Sequence, residues 1–364
     1  MTEREREILE IIRENPSISQ KEISERLNIS ANTVAVHISN LTKEGFLLGK
    51  AYIVKEEDYA VGIGAANADL YGKSFVPLKT HFDHPAAIRS TVGGVTRNIL
   101  DNLSRLGVHT KLLSAVGDDI FGEMILRESA KKGIDVSDVL TVKNASSGVF
   151  MQVLDEDNDM HMALCDMSII GHITPTYLKE KEKVLQGAKV IAFDPSLPLE
   201  SIEYLIEHYS DKTLFVDPIS DLYAEKIRPY ADKIFALKPN RTELGALTGM
   251  EVRDKKDVKK AAKKLIENGT KRVYVSMGKD GCLYMDENTC IERKLPEEKV
   301  MVNASGAGDA FYAGIIYGYM NDLPIKQCLD LALAAGTLTI RSEEVISPLM
   351  SVIELERIVK EKKQ

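Results

Sequence analysis

Residues 303–311 read Asn-Ala-Ser-Gly-Ala-Gly-Asp-Ala-Phe. Gly306 and Gly308 bracket Ala307, Ser305 precedes them, and Asp309 follows at once. Upstream, EEKVMV has the composition of a short strand. Downstream, AFYAGIIYGYMN carries apolar residues at helical spacing, so the glycines are predicted where a strand turns into a helix. Backbone N–H groups left free at a helix start favour a bound anion, phosphate above all. A carboxylate beside a phosphate would be repelled. Asp309 is therefore read as facing the nucleophile that attacks the phosphate rather than the phosphate itself.

Four other short stretches carry chemistry of a compatible kind. GAANADL is expected to end the first strand with Asn67 and Asp69, and a carboxylate there can accept hydrogen bonds from two neighbouring hydroxyls, as in the diol of a ribose. VGGVTRN sets Gly93 and Gly94 ahead of a helix carrying Asn98, and glycines at that point let the backbone approach a ligand closely. KPNRTE supplies Asn240 and Glu243, three apart and so on one helical face. SMGKDG places Ser276, Gly278 and Gly281 after a strand, suited to the phosphates and sugar of a nucleotide.

Positioning these residues requires an α/β scaffold. From Val61 onward strands alternate with helices, which predicts a mostly parallel sheet with helices on both faces. AVGIGAAN, AKVIAFD, TLFVDP, KIFALKPN and KRVYVSMG read as strands, several ending in Asp, Asn or Gly at the carboxyl edge, where open α/β sheets bind ligands. Segments at about 71–92 and 147–168 read as short antiparallel strands that form a small β lid. Residues 1–54 form a separate unit of three helices and a hairpin with Gly49 near its turn, joined by a charged linker at 55–60. This is the winged helix-turn-helix arrangement. The unit holds seven Lys/Arg against eight Glu, a net charge of −1, which is a weak footprint for DNA. Its third helix nonetheless presents Asn32, Thr33, His37 and Asn40 as base-reaching residues.

Taken in order along the chain, the motifs from Val61 to the carboxyl end resemble the ribokinase (PfkB) family of carbohydrate kinases. The resemblance implies that Gly306, Ala307 and Gly308 form an anion hole for the γ-phosphate of ATP and that Asp309 removes the proton of the acceptor hydroxyl. It implies that Asn240 and Glu243 organise Mg²⁺ and its waters, with Ser276, Gly278, Gly281 and Ser305 at the nucleotide. Asn67, Asp69, Gly93, Gly94 and Asn98 would hold the acceptor. Asn303 stands where many members carry a carboxylate beside a monovalent-cation site, and Ala304 replaces a usual Thr. Asn303 can coordinate a cation through its carbonyl but brings no charge, which leaves K⁺ activation undecided. GAANADLYG, GGVTRNILDNLSRLG, DMSIIGHITP and LKPNRTELGALTG are most similar to the pseudouridine kinases of the family, some of which carry a winged helix-turn-helix ahead of the kinase. The implied substrate is pseudouridine, with ribose or another nucleoside as alternatives, and Asp166 in the lid is the expected acceptor for the extra ring N–H of its base. A homodimer joined through lid strands is expected. The rival reading is a DNA-binding regulator whose kinase-like part senses a nucleoside.

Totals narrow the field. The 364-residue chain has 44% hydrophobic and 28% charged residues and a net charge of −8, which gives no overall pull toward nucleic acid or an anionic membrane. Cys165, Cys282, Cys290 and Cys328 show no metal-ligand spacing, and the charged start MTEREREILE is unlike a signal peptide, so a cytoplasmic protein with reduced thiols is expected. A dinucleotide oxidoreductase is excluded by position, because its glycine motif opens the first βα unit and here the motif comes late.

Overall fold

The computed structural model describes residues 1–48, 58–157, 159–295 and 301–361. The chain divides into two compact units, Met1–Glu57 and Asp58–Gln364.

In the first unit, helices α1 (Glu3–Glu14), α2 (Gln20–Leu27) and α3 (Ala31–Lys43) follow one another with short turns. Each start is set by its cap. Thr2 with Glu5 and Ser19 with Glu22 form reciprocal capping boxes, and Ser30, not Asn32, accepts from the Thr33 backbone N–H at the head of α3. Ile8, Ile12, Ile23, Val34 and Leu41 are fully buried and form the core of this unit. The hairpin expected around Gly49 lies outside the described residues, as does most of the expected linker.

Among its described residues the second unit has fifteen strands. The first five are β1 (Tyr59–Ile63), β2 (Asn67–Ser74), β3 (Ala86–Gly93), β4 (His109–Leu113) and β5 (Ala115–Gly117). Next come β6 (Ile134–Asp135), β7 (Leu140–Val142), β8 (Val149–Leu154), β9 (Met160–Asp166) and β10 (Val190–Phe193). The last five are β11 (Leu214–Val216), β12 (Ala236–Leu237), β13 (Arg272–Ser276), β14 (Cys282–Met285) and β15 (Cys290–Arg293). Nine of them form one sheet in the order β15-β14-β13-β12-β11-β10-β1-β4-β6. It is parallel except for β14 and β15, which fold back antiparallel at one edge. Two cores cover its faces, one containing Val61, Ile191, Val216 and Val273, the other Ala60, Phe215, Tyr274 and Tyr312. That division follows the strand period of two, since Ala60 and Val61 point to opposite faces. Gly62 lets helix α4 (Val95–Arg105) lie directly on β1, because a Cβ there would stand 2.7 Å from Leu100 Cδ1.

The segments expected to form a lid make a second sheet, ordered β3-β2-β8-β9. Its two hairpins are antiparallel within themselves, as expected, but β2 and β8 pair in parallel. The sequence expectation for Asn67 and Asp69 needs correction. They do not end the first strand but open β2, because the chain turns between Ile63 and Asn67. Gly64 makes that turn at φ 158°, where a Cβ would meet the Asp194 carboxylate. The strand expected just before the Gly-Ala-Gly loop falls largely outside the described residues.

Candidate active site

The start of one helix, the start of α4 and the ends of β10, β11 and β12 bring their side chains to Asp309. It sits in the first turn of the Ala307–Met320 helix, whose start is shaped by Gly306 in the left-handed region at φ 76°. A Cβ on Gly306 would stand 2.2 Å from the Val345 carbonyl oxygen, so this loop is pressed against the chain behind it. Ser305 N–H donates to Asn303 Oδ1 (2.9 Å), and Asn303 Nδ2 donates to the Glu343 carbonyl (3.2 Å), which ties the loop to the same segment. Within the loop the Ala307 N–H turns back to the Ala304 carbonyl at 3.4 Å.

Asp309 is half-buried, and Asn98 Nδ2 donates to its Oδ2 at 3.0 Å. Burial pushes the Asp309 carboxyl up to about 7, and Asp217 adds to the rise. The Asn98 hydrogen bond and the Lys238 charge pull it back, while Asp194 pushes it higher. A carboxylate whose proton affinity lies near neutrality is suited to general-base work.

Asn98 is itself oriented from behind. Arg97, only 2% exposed, donates from Nη1 to Asn98 Oδ1 (3.4 Å), which turns the amide so that its NH₂ faces Asp309. Asp101 pairs with Arg97 at 2.6 Å and with Arg105 at 2.6 Å, so the guanidinium is buried with its charge balanced. Gly94 opens α4 at φ 100°, where a Cβ would stand 2.3 Å from the Ala65 carbonyl.

Asp69 is buried at the base of the lid. Asn67 Nδ2 donates to one of its oxygens at 2.5 Å and the Tyr71 hydroxyl to the other at 3.3 Å. Burial raises its pKa against the pull of these two bonds and the Arg97 charge. Gly93 pairs with Asn67 across the hairpin and lies against Asp69: a Cβ there would meet Asp69 Oδ2 at 2.2 Å. Asp69, Phe150 and Cys165 form one cross-strand row of the lid, and Ala68, Val149 and Asp166 form the next. Side chains of adjacent rows point to opposite faces. Asp166 therefore lies on the face away from Asp69. It is exposed and its carboxylate accepts from the Ser168 N–H at 2.9 Å. This corrects the expectation that Asp166 reads the base; it caps the turn that leaves β9.

Asn240 caps the Arg241–Thr248 helix, and Glu243 completes a reciprocal box. Glu243 Oε2 accepts from Asn240 N–H (2.8 Å), and Oε1 accepts from Asn240 Nδ2 (2.7 Å). Glu243 is buried, and burial with the nearby Asp217 charge pushes it up to about 7. Its oxygens keep spare lone pairs. Buried negative charge of this kind fits a hydrated divalent cation, which Mg²⁺ sites commonly hold with one or two carboxylates and substrate phosphates. On the far side, Ser276 ends β13, its N–H donating to the Pro239 carbonyl at 3.0 Å. Gly278 and Gly281 turn the chain at φ 55° and 86°.

Sequence reading missed four residues of this site. Asp194 and Asp217 follow β10 and β11 as Asp-Pro pairs at the carboxyl edge of the sheet, and Lys238 follows β12 in the same way. Lys238 and Asp217 form a buried ion pair at 2.7 Å. Asp194 accepts from Thr96 Oγ1 (2.5 Å) and from the Ala65 and Ser196 backbone, bracing α4 against the sheet. Arg97, beside Asn98, is the fourth. The signal available was the repeated polar residue just after an apolar strand. In the amino-terminal unit, the reverse occurred. His37 and Asn40 of α3 turn back to the Glu5 carboxylate at 3.5 and 3.2 Å, so they are not on the outward face. That face carries Asn32, Thr33 and Val36.

Comparison with known proteins gives the family. Residues 57–351 match the family model for pfkB family carbohydrate kinases, and residues 1–47 match winged helix-turn-helix DNA-binding domains. The pseudouridine kinase of Escherichia coli is 33% identical over 306 residues, covering 84% of this chain and 98% of that protein. An uncharacterized sugar kinase of the same organism is 32% identical over 352 residues, covering 96% of this chain and 97% of its own. The crystal structure of a Clostridium perfringens protein assigned as a sugar kinase superimposes with a TM-score of 0.76 at 32% identity. It covers 85% of this chain and 96% of that one. Among the described residues no helix is long and apolar enough to cross a membrane.

Proposed function

Because the chain belongs to the pfkB family of carbohydrate kinases, we propose that it phosphorylates the 5′-hydroxyl of pseudouridine with ATP. The observation that carries the substrate is the 33% identity to a pseudouridine kinase over nearly all of that protein's length. In this reading Asp69 accepts the ribose diol and Asn98 holds the acceptor beside Asp309. Asp309 takes the proton of the 5′-hydroxyl as its oxygen bonds to the γ-phosphorus. The bond from that phosphorus to the bridging oxygen breaks and ADP leaves. The backbone of Gly306, Ala307 and Gly308 receives the charge on the transferred group, which is where catalysis of this reaction chiefly lies. Glu243 and Asn240 would hold Mg²⁺ through water; when bound it neutralises phosphate charge. Ser276, Gly278, Gly281 and Ser305 line the nucleotide end. Phe150 and Cys165, in the row of Asp69, would face the base.

An ADP-release screen over pseudouridine, uridine, cytidine, adenosine, inosine and ribose tests the assignment. Pseudouridine should be turned over best. Far better turnover of ribose or adenosine would overturn the substrate and leave a ribokinase or another nucleoside kinase.

A second activity is favoured by the winged helix-turn-helix match at residues 1–47, namely binding of DNA through the outward face of α3. It is compatible with catalysis. Turnover of no substrate, with nucleoside-dependent DNA binding, would favour a sensing regulator instead. We further infer a homodimer through the outer lid face, where Ile88, Met151, Met162 and Leu164 are exposed together. Light scattering on the purified protein would check it.

A further inference from the structure

Lys238 is a buried cation beside the glycine loop. The residue is 6% exposed, just beyond β12, and its Nζ lies 2.7 Å from Asp217 Oδ2. The same Nζ stands 5.7 Å from the centre of the Tyr312 ring and 3.6 Å from the point a Cβ on Gly308 would occupy. Gly308 and Tyr312 are four residues apart on one helix and so share a face. The ammonium is thus packed against the first turns of the Ala307–Met320 helix, beside its amino end. That end carries about half a positive charge and repels a cation.

The Asp217 carboxylate, paired with the ammonium at 2.7 Å, offsets this repulsion, and the charges of Glu243 and Asp309 act on it as well. Yet among the described residues Asp217 is the one acceptor bound to it, and an ammonium has three donors. Further, the carboxylates are not spare charges. In the proposed function Asp309 takes a proton and Glu243 faces a metal. A fixed cation under the glycine loop has its full use when an anion sits above that loop.

We infer that Lys238 is a phosphate-binding residue, the fixed positive charge that draws the terminal phosphate of ATP to the Gly306–Gly308 loop. The inference rests on the kinase reading. It assigns to the Lys-Pro-Asn segment a role distinct from the metal-side role of Asn240 and Glu243.

The obvious variant, Lys238→Met, leaves Asp217 buried and unpaired and can fail to fold. The test therefore uses the double variant Asp217→Asn/Lys238→Met beside Asp217→Asn and the unmodified protein. Binding of ATP and of AMP is measured by calorimetry with Mg²⁺ in excess, together with Tm and kcat. The double variant should keep its Tm and its AMP affinity. It should bind ATP about 10- to 100-fold more weakly than Asp217→Asn does, the span of a charge-assisted hydrogen bond. Its kcat should fall further than that of Asp217→Asn. Unchanged ATP affinity and kcat in the double variant, relative to Asp217→Asn, would make Lys238 an ion-pair partner only and overturn the inference. Equal losses for ATP and AMP would overturn it too, since they would place the effect away from the terminal phosphate. If the unmodified protein binds ATP but phosphorylates no acceptor, the kinase reading fails while the selective ATP loss still decides the role of Lys238. If it binds no ATP, both fall.

Discussion

Gly93→Ala offers a sharp test of the acceptor site, because the backbone there is not in the left-handed region and the effect is purely one of space. The new Cβ would lie 2.2 Å from Asp69 Oδ2 and 2.5 Å from its Cγ and Oδ1. Relaxed carbon–oxygen contacts need well over 3 Å, so the carboxylate must withdraw by roughly 1 Å. It cannot do so without losing Asn67, bonded at 2.5 Å, or Tyr71, at 3.3 Å. Two charge-assisted hydrogen bonds to a ribose diol would be lengthened or lost. At about 1.5–3 kcal/mol each, partial loss of both comes to about 3 kcal/mol, or roughly 10²-fold in kcat/KM for the nucleoside. The assay is steady-state ADP release with pseudouridine varied at saturating ATP, then the reverse. The acceptor KM should rise steeply while the ATP KM stays near that of the parent, with Tm little changed. An unaltered acceptor KM would show that Asp69 does not hold the acceptor. A matching rise in the ATP KM would show that the damage is not confined to the lid, and either result refutes the reasoning.

Asp309→Asn should lower kcat by at least ~10²-fold with ATP binding retained, because Asn keeps the shape and loses the basic oxygen. In the parent, kcat/KM should fall as pH drops below about 7, where Asp309 takes up its proton, and rate–pH profiles of both proteins would check this. The same group affects stability with a definite sign. Its folded pKa lies above the ordinary 3.8, so folding disfavours its charged form and stability is lost as pH rises from about 4 through about 7. Asp309→Asn should therefore melt at a higher temperature than the parent at pH 8 and at a similar one at pH 4. Deleting residues 1–57 should leave kinase activity intact, since every candidate site residue lies in the second unit. Binding of DNA by the intact chain should be modest and fall steeply with added salt, as titration of a labelled operator at two ionic strengths would show.

How much of this was legible in the sequence depended on whether a residue's role is local. Gly306, Gly94 and the Asn240–Glu243 pair act through turns and caps a few residues long, and their spacing announced them. Asp194, Asp217 and Lys238 come together only because β10, β11 and β12 lie side by side, and no local pattern states which strands are neighbours. The parallel pairing of the lid hairpins escaped for the same reason. Asp166 was misjudged by one step of strand alternation, which reverses the face of every side chain. His37 and Asn40 have the polarity of base readers, but Glu5, more than thirty residues earlier, claims both. Arg97 was passed over because a guanidinium beside Asn98 looks like a surface residue until its burial with Asp101 is seen.

The register of the lid has a consequence for the timing of the catalytic cycle. β2 and β8 are laddered over six residues, from Ala68 opposite Val149 to Lys73 opposite Leu154. Two hairpins that lie far apart in the chain are thereby welded into a single panel, and neither can swing out alone without tearing that ladder. The panel joins the body at four crossings, and three of them carry Gly64, Gly94 or Gly148. Any opening would then turn the panel as one piece about these glycine-bearing crossings. In the proposed reaction, admission of the nucleoside and departure of its phosphate would share one barrier. Stiffening any single crossing would slow both passages together, so kcat/KM for the nucleoside and kcat would decline in parallel.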